Sequence, residues 1–267
     1  PEREKIGPVK TLGQMGKTFS NKGFLAILSF GVLKYTSLGM TSALNIYFGT
    51  NFWGFNSAQL AILTVDSLAG AFLALFFAPL VSKKFGKRNA AFYLAILAVM
   101  FASTPYLLRF AGLMPENGEP GLVAAVFAFS MLFQLCGVSS AVLTHAMIGD
   151  IVEESQLRTG RRSEGLFYAA NTLMQKSTSG LGVFAAGMLV AVVGIVPGSD
   201  PRTLDPEIPR MLALVYVPTL IVLYIGGAGF LFAYRIDRSS HEANVEELAR
   251  RDRASSVNAD EVPDPAQ

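Results

Sequence analysis

Long apolar runs alternate with short polar connections along this chain. Six runs fall at residues 23 to 49, 58 to 81, 89 to 111, 121 to 147, 165 to 196 and 208 to 234. Each reaches the length of about 20 residues that a helix rising 1.5 Å per residue needs to cross a hydrocarbon core of about 30 Å. The connections FGTNFWGFNS, SKKFGKRN, LMPENGEPG and PGSDPRTLDPEIP place Pro and Gly where helices stop. The remaining one, 149-GDIVEESQLRTGRRSEG-165, holds seven formal charges in seventeen residues. The pattern predicts an all-α membrane protein with a bundle of six transmembrane helices over residues 23–236. Residues 1–22, with Lys5, Lys10, Lys17 and Lys22, form a cytoplasmic or interfacial leader. Residues 237–267 form a charged tail, expected as a helical stub fading into disorder.

Composition agrees with a membrane and removes several other classes. Hydrophobic residues make up 51% and charged residues 16%, against about a quarter charged in soluble domains. Mean hydropathy is +0.42. A net charge of +2, with charges clustered between apolar runs, gives no basic stripe for nucleic acid. One cysteine, Cys136, allows no internal disulfide, and two histidines, His145 and His241, leave little for a zinc site. No cofactor and no metal is expected. The chain opens on Pro1 without a signal-peptide pattern and is expected to be a piece of something longer.

Basic residues in the connections set the expected orientation, because Lys and Arg are retained on the cytoplasmic side. Lys83, Lys84, Lys87 and Arg88 follow the second run, and Arg158, Arg161 and Arg162 follow the fourth. The other connections have no such excess. Both termini are therefore expected in the cytoplasm, with the protein a multi-pass component of the cell membrane.

Ionisable side chains inside spans are functional candidates, since each costs about 2.5 to 3.5 kcal/mol at the bilayer centre on insertion scales. Lys34, Asp66 and Lys176 qualify. On a helical projection Tyr168, Asn171, Thr172, Gln175, Lys176 and Ser179 share an arc of about 140°, opposite Leu166, Leu173, Leu181 and Phe184. Such a stripe either lines a wet cavity or makes hydrogen bonds that hold helices together. Lys34 and Asp66, on neighbouring runs, either pair with each other or face the same cavity. Ser177, Ser179, Gly180 and Gly182 allow close helix approach just beyond Lys176. Trp53, flanked by Phe52 and Phe55, reads as an interfacial anchor, and Cys136 as a packing residue.

The run DIVEESQLRTGRRSEGLFYAANTLMQKSTSG, with its acids, its Gly-Arg-Arg-Ser-Glu turn and its lysine in the next helix, resembles the signature of the glycoside, pentoside, hexuronide and cation symporters. This is the melibiose permease-like family of the major facilitator superfamily. The six runs are similar to the carboxyl-terminal half of that twelve-helix fold. The resemblance implies alternating access around a central cavity and cation-coupled symport of a sugar or glycoside. Sodium, lithium or a proton would be held mainly by carboxylates of an amino-terminal six-helix half, which would be the partner of this chain. It also implies that Lys176 matches the family lysine and that Asn171 and Thr172 stand where the family has a polar pair near the sugar. Ala141 replaces an aromatic near the sugar, against a melibiose-like galactoside. The acids Asp150, Glu153, Glu154 and Glu164 and the bases Arg158, Arg161 and Arg162 are then expected to form a cytoplasmic gate. Alternative readings are a carrier of a lipid-like, amphipathic solute and a non-transporting scaffold or sensor. An enzyme finds no support, because His145 and Asp150 sit outside any HExxH or Gly-x-Ser-x-Gly pattern.

Overall fold

The computed structural model describes residues 21–160, 163–194, 207–236 and 238–260. They form seven α-helices: α1 (Lys22–Tyr47), α2 (Ser57–Phe85), α3 (Lys87–Phe110), α4 (Leu122–Thr159), α5 (Glu164–Val192), α6 (Glu207–Phe230) and α7 (Arg238–Asp260). No strand occurs among the described residues. A π-helical turn, Phe48–Phe52, extends α1.

Local chemistry sets the helix ends. Asn21 caps α1 by accepting from the Phe24 backbone N–H at 3.0 Å, and Asn56 and Gln59 form a reciprocal capping box at the start of α2. Gly160 ends α4 at φ +70°, a left-handed conformation that glycine adopts without a steric penalty.

Helices α1, α2, α3, α4 and α6 are long and apolar enough to cross a membrane. Helix α5 has 29 residues, ample length, but does not reach the same apolarity. Its polar stripe is the reason. The outer faces carry large apolar side chains such as Leu68, Phe72, Phe76, Leu80 and Phe184, as lipid contact requires.

Packing follows an internal symmetry. Helix α1 packs chiefly on α5 and then on α6, α4 packs chiefly on α3 and α2, and α3 meets α6. Exchanging α1 for α4, α2 for α5 and α3 for α6 turns every one of these contacts into another of the set. Since the exchanged partners lie three places apart in an alternating order of helices, they run in opposite directions, as in an inverted repeat. Close approaches in the repeat depend on glycine. A methyl group at Gly182 would collide with the backbone of Thr36 and Met40, and one at Gly70 would press on Gln134 and the α4 backbone.

Three expectations change. The charged run after the fourth span is helical as far as Thr159, because Asp150 to Arg158 holds mostly good helix formers and an i,i+4 Glu154–Arg158 pair of 3.8 Å. Residues 238–260 of the tail form a 23-residue helix, longer than the expected stub, and it lies along the projecting end of α4, where Arg251 Nη1 donates to the Leu157 carbonyl at 3.2 Å; residues 261–267 lie outside the described residues. Trp53 is buried instead of anchoring at the interface. It packs against Phe52 and Tyr106 with the Arg109 guanidinium 5.1 Å above its ring. Cys136 is buried as a packing residue. Residues 1–20 of the leader, and Arg161 and Arg162, lie outside the described residues.

Candidate functional site

Helix α5 carries the polar stripe, and the structure divides it. One edge turns into the bundle: Asn171 is 3% exposed and Thr178 6%. The other edge turns outward, with Thr172 and Lys176 exposed, while Tyr168, Gln175 and Ser179 lie between the two. Lys176 stands twelve residues from the start of α5, about 18 Å along its axis. It makes no hydrogen bond or ion pair among the described residues.

The buried edge is organised by His145 of α4, which sequence reasoning set aside as a weak catalytic candidate. His145 Nδ1 lies 2.8 Å from the Ala141 carbonyl, a contact that places its proton there and leaves Nε2 to accept. Asn171 Nδ2 approaches Nε2 at 3.4 Å, and the Tyr168 hydroxyl donates to the His145 carbonyl at 3.3 Å. Two of the expected cavity residues thus hold α5 to α4 and orient the stripe. An intramembrane histidine one helix away was the available signal.

Lys34 and Asp66 do not pair with each other. Lys34 is 2% exposed and donates to the Gly137 carbonyl of α4 at 3.1 Å, with the Phe30 ring 5.4 Å away. Asp66, 3% exposed, accepts from the Ser67 hydroxyl at 2.9 Å, and Ser67 in turn accepts from Gln134 Nε2 of α4 at 2.9 Å. Lys34 thus meets α4 directly at Gly137, and Asp66 reaches α4 through Ser67 and Gln134, one turn away. No sequence spacing predicts a backbone carbonyl as the partner of Lys34.

At the basic end of the bundle Asp150 is 4% exposed. It takes Lys87 Nζ at 2.6 Å and the Tyr234 hydroxyl at 3.0 Å, partners the linear charge pattern did not suggest. The reason is the length of α4: Asp150 lies nine residues before Thr159, about 14 Å short of the helix end. It therefore faces the start of α3. The Tyr234 hydroxyl is the donor in its pair with Asp150. Arg88 Nη1 donates to the Tyr234 carbonyl at 3.2 Å. Glu154 pairs with Arg158 and receives Asn21 Nδ2 at 3.5 Å, Glu153 is half-buried, and Glu164 is exposed in the first turn of α5. Among the described residues no group of His, Cys, Asp and Glu is arranged to hold a metal ion.

A family model described as MFS/sugar transport protein matches residues 1–238. The chain belongs to this family. Similar proteins include an uncharacterized symporter of Synechocystis, 27% identical over 245 residues, covering 90% of this chain and 43% of the relative. Another is an uncharacterized symporter of Bacillus subtilis, 23% identical over 245 residues, 90% and 50% covered. The lactose permease of Lactobacillus delbrueckii subsp. bulgaricus is 26% identical over 243 residues, 89% and 36% covered. The chain spans half or less of the length of these relatives.

As a member of the MFS/sugar transport family with helices of this length and apolarity, the protein is a multi-pass membrane protein. The 3+3 exchange of helix contacts fits the internal repeats of each half of a major facilitator. Within it the open edge of α5 is the one polar stripe that the sequence reading placed at mid-membrane and that the structure leaves uncovered.

Proposed function

We propose that the protein transports a sugar or glycoside by cation-coupled symport, with alternating access between this six-helix unit and an amino-terminal six-helix half. The observation that carries the reading is Lys176, a basic side chain in the middle of a long helix, exposed and without a partner among the described residues. Turned to lipid, it would cost about 2.5 to 3.5 kcal/mol. Turned to a wet cavity, it costs far less and can meet a carboxylate or a solute. Thr172 on the same edge and Gln175 beside it supply hydroxyl and amide groups suited to sugar hydroxyls. The relatives named as symporters and as a lactose permease support this class of solute.

In this reading Lys176 competes with the coupling cation for acids of the other half, so that sodium, lithium or a proton releases it. Lys34 and Asp66 hold α1 and α2 to α4 rather than touching the solute. Glu153, Glu154 and Glu164, with Arg158, Arg161 and Arg162, close the cytoplasmic side, while Asp150 is kept inside by Lys87 and Tyr234. Both termini are then cytoplasmic.

The test is uptake of labelled sugars and glycosides into proteoliposomes holding the full-length transporter, under an imposed sodium or proton gradient. Gradient-driven accumulation of at least one such solute is expected, reduced tenfold or more by Lys176→Ala. Facilitated flux indifferent to every cation gradient would overturn coupling, and undiminished uptake by Lys176→Ala would overturn the role of that residue.

A further inference from the structure

At the basic end a cavity of about 300 Å³ opens between the α2–α3 turn and the start of α7. Lys83, Lys87, Arg88 and Arg235 line it together with Asp150 and Glu242, four bases against two acids, a surplus of two positive charges. Asp150 is already occupied by Lys87 and Tyr234. Lys83 and Arg235 are exposed, and neither makes a hydrogen bond or ion pair among the described residues. The wall between them is the first turn of α3, a 24-residue helix whose amino terminus has Gly86 at φ +75° and no side-chain cap. Its free N–H groups and the positive end of the helix dipole add to the same field.

A second observation bears on what the anion is attached to. Lys83 lies eleven, seven and three residues beyond Phe72, Phe76 and Leu80, which places all four on one face of α2. The three apolar side chains are 63%, 61% and 64% exposed, and the rings of Phe72 and Phe76 touch at 5.4 Å between centroids. Phe85, which also lines the cavity, packs on the exposed Tyr93. A basic cavity thus continues into an apolar stripe that runs toward the bilayer centre. A soluble phosphate would use only the first part.

We infer that this cavity binds the headgroup phosphate of an anionic phospholipid, with Lys83 and Arg235 as the free cations and an acyl chain laid along Phe72, Phe76 and Leu80. Basic pockets at the ends of transmembrane helices recognise such headgroups, and each Lys or Arg at the surface strengthens the attraction several-fold. The site is separate from the Lys176 edge, and it stands whether or not the transported solute is a sugar.

Native mass spectrometry of the full-length protein in detergent, titrated with phosphatidylglycerol and with phosphatidylcholine of the same acyl chains, tests it. Phosphatidylglycerol should be retained in preference, and the double variant Lys83→Gln with Arg235→Gln should lose about tenfold of that preference. Because neither side chain is bonded among the described residues, the variant should keep its melting temperature, and Arg235→Gln alone gives a smaller loss as a second measure. Arg210→Gln, whose guanidinium lies 3.6 Å from Glu207 at the start of α6, should change nothing. Equal retention of the two lipids, or a preference untouched by the double variant, overturns the proposal. Displacement of the lipid by millimolar glycerol 3-phosphate overturns the lipid source and assigns the cavity to a soluble phosphate.

Discussion

Helices α2 and α5 hold equivalent places in the repeat and have the same length, 29 residues, yet they treat their charges oppositely. Helix α2 exposes mostly apolar side chains along its middle and turns its one mid-helix charge, Asp66, into the bundle toward Ser67 and Gln134. Helix α5 turns Lys176 out and keeps Asn171 in. The difference separates two uses of an intramembrane charge. One that is satisfied inside its own bundle specifies how helices pack; one that is left open specifies what must come to meet it. Symmetry of the backbone therefore does not carry over to the placement of charge, and in the proposed mechanism the function rests on the helix that breaks the apolar rule.

The comparison predicts its largest effect at Lys176. Replacing it with Gln should lower cation-driven uptake by the full-length transporter about a hundredfold, an energetic loss of about 2.7 kcal/mol, while the melting temperature in detergent stays unchanged. A large fall in melting temperature would show instead that this side chain supports the bundle, and the contrast with Asp66 would collapse. Next in size is Gly182→Val. Its side chain would strike the α1 backbone at Thr36 and Met40, and overpacking of this kind costs about 1–3 kcal/mol. At about 2–4 °C per kcal/mol for a protein of this size, the melting temperature should fall by several degrees. Gly180→Ala, with nothing within 4 Å of the added methyl group, should leave it alone. If both variants melt alike, α1 and α5 are not in the contact described.

How much of this could be read beforehand depends on the range of the interaction. The helices, the apolar character of α2 and the position of Lys176 along α5 follow from local periodicity, which the sequence states directly. The end of α4 departs from the sequence pattern because a charged run reads as a loop, although Glu, Gln, Leu and Arg are good helix formers wherever water is available to their side chains. Trp53 was misread for the complementary reason: a tryptophan beside phenylalanines suits an interface and a buried cluster equally, and only Tyr106 and Arg109, more than fifty residues away, decide between them. The partners of Asp150, Lys34 and Asn171 are likewise long-range. A hydrogen bond to the Gly137 carbonyl leaves no trace in side-chain pattern at all.

Asn171→Ala should have an intermediate effect, about 1 kcal/mol of stability, since it removes one buried hydrogen bond to His145 and leaves the imidazole Nε2 without a donor. Uptake should follow stability down and no further. The smallest effect, and the sharpest test, belongs to Asp66→Asn. Asparagine keeps the shape of the side chain and can still accept from the Ser67 hydroxyl through its amide oxygen, while the amide nitrogen needs a new acceptor. Losing a buried charge offsets part of that cost, because a carboxylate taken out of water carries a desolvation penalty that a single hydroxyl does not cancel. The net change should stay below about 1 kcal/mol, and cation-driven uptake should remain within about threefold of the parent. A loss of coupling as deep as that of Lys176→Gln, with stability intact, would mean that Asp66 is reached by the cation after all. The acid of α2 and the base of α5 would then be two members of one site, and the opposite treatment of the two charges would describe only one state of the transport cycle.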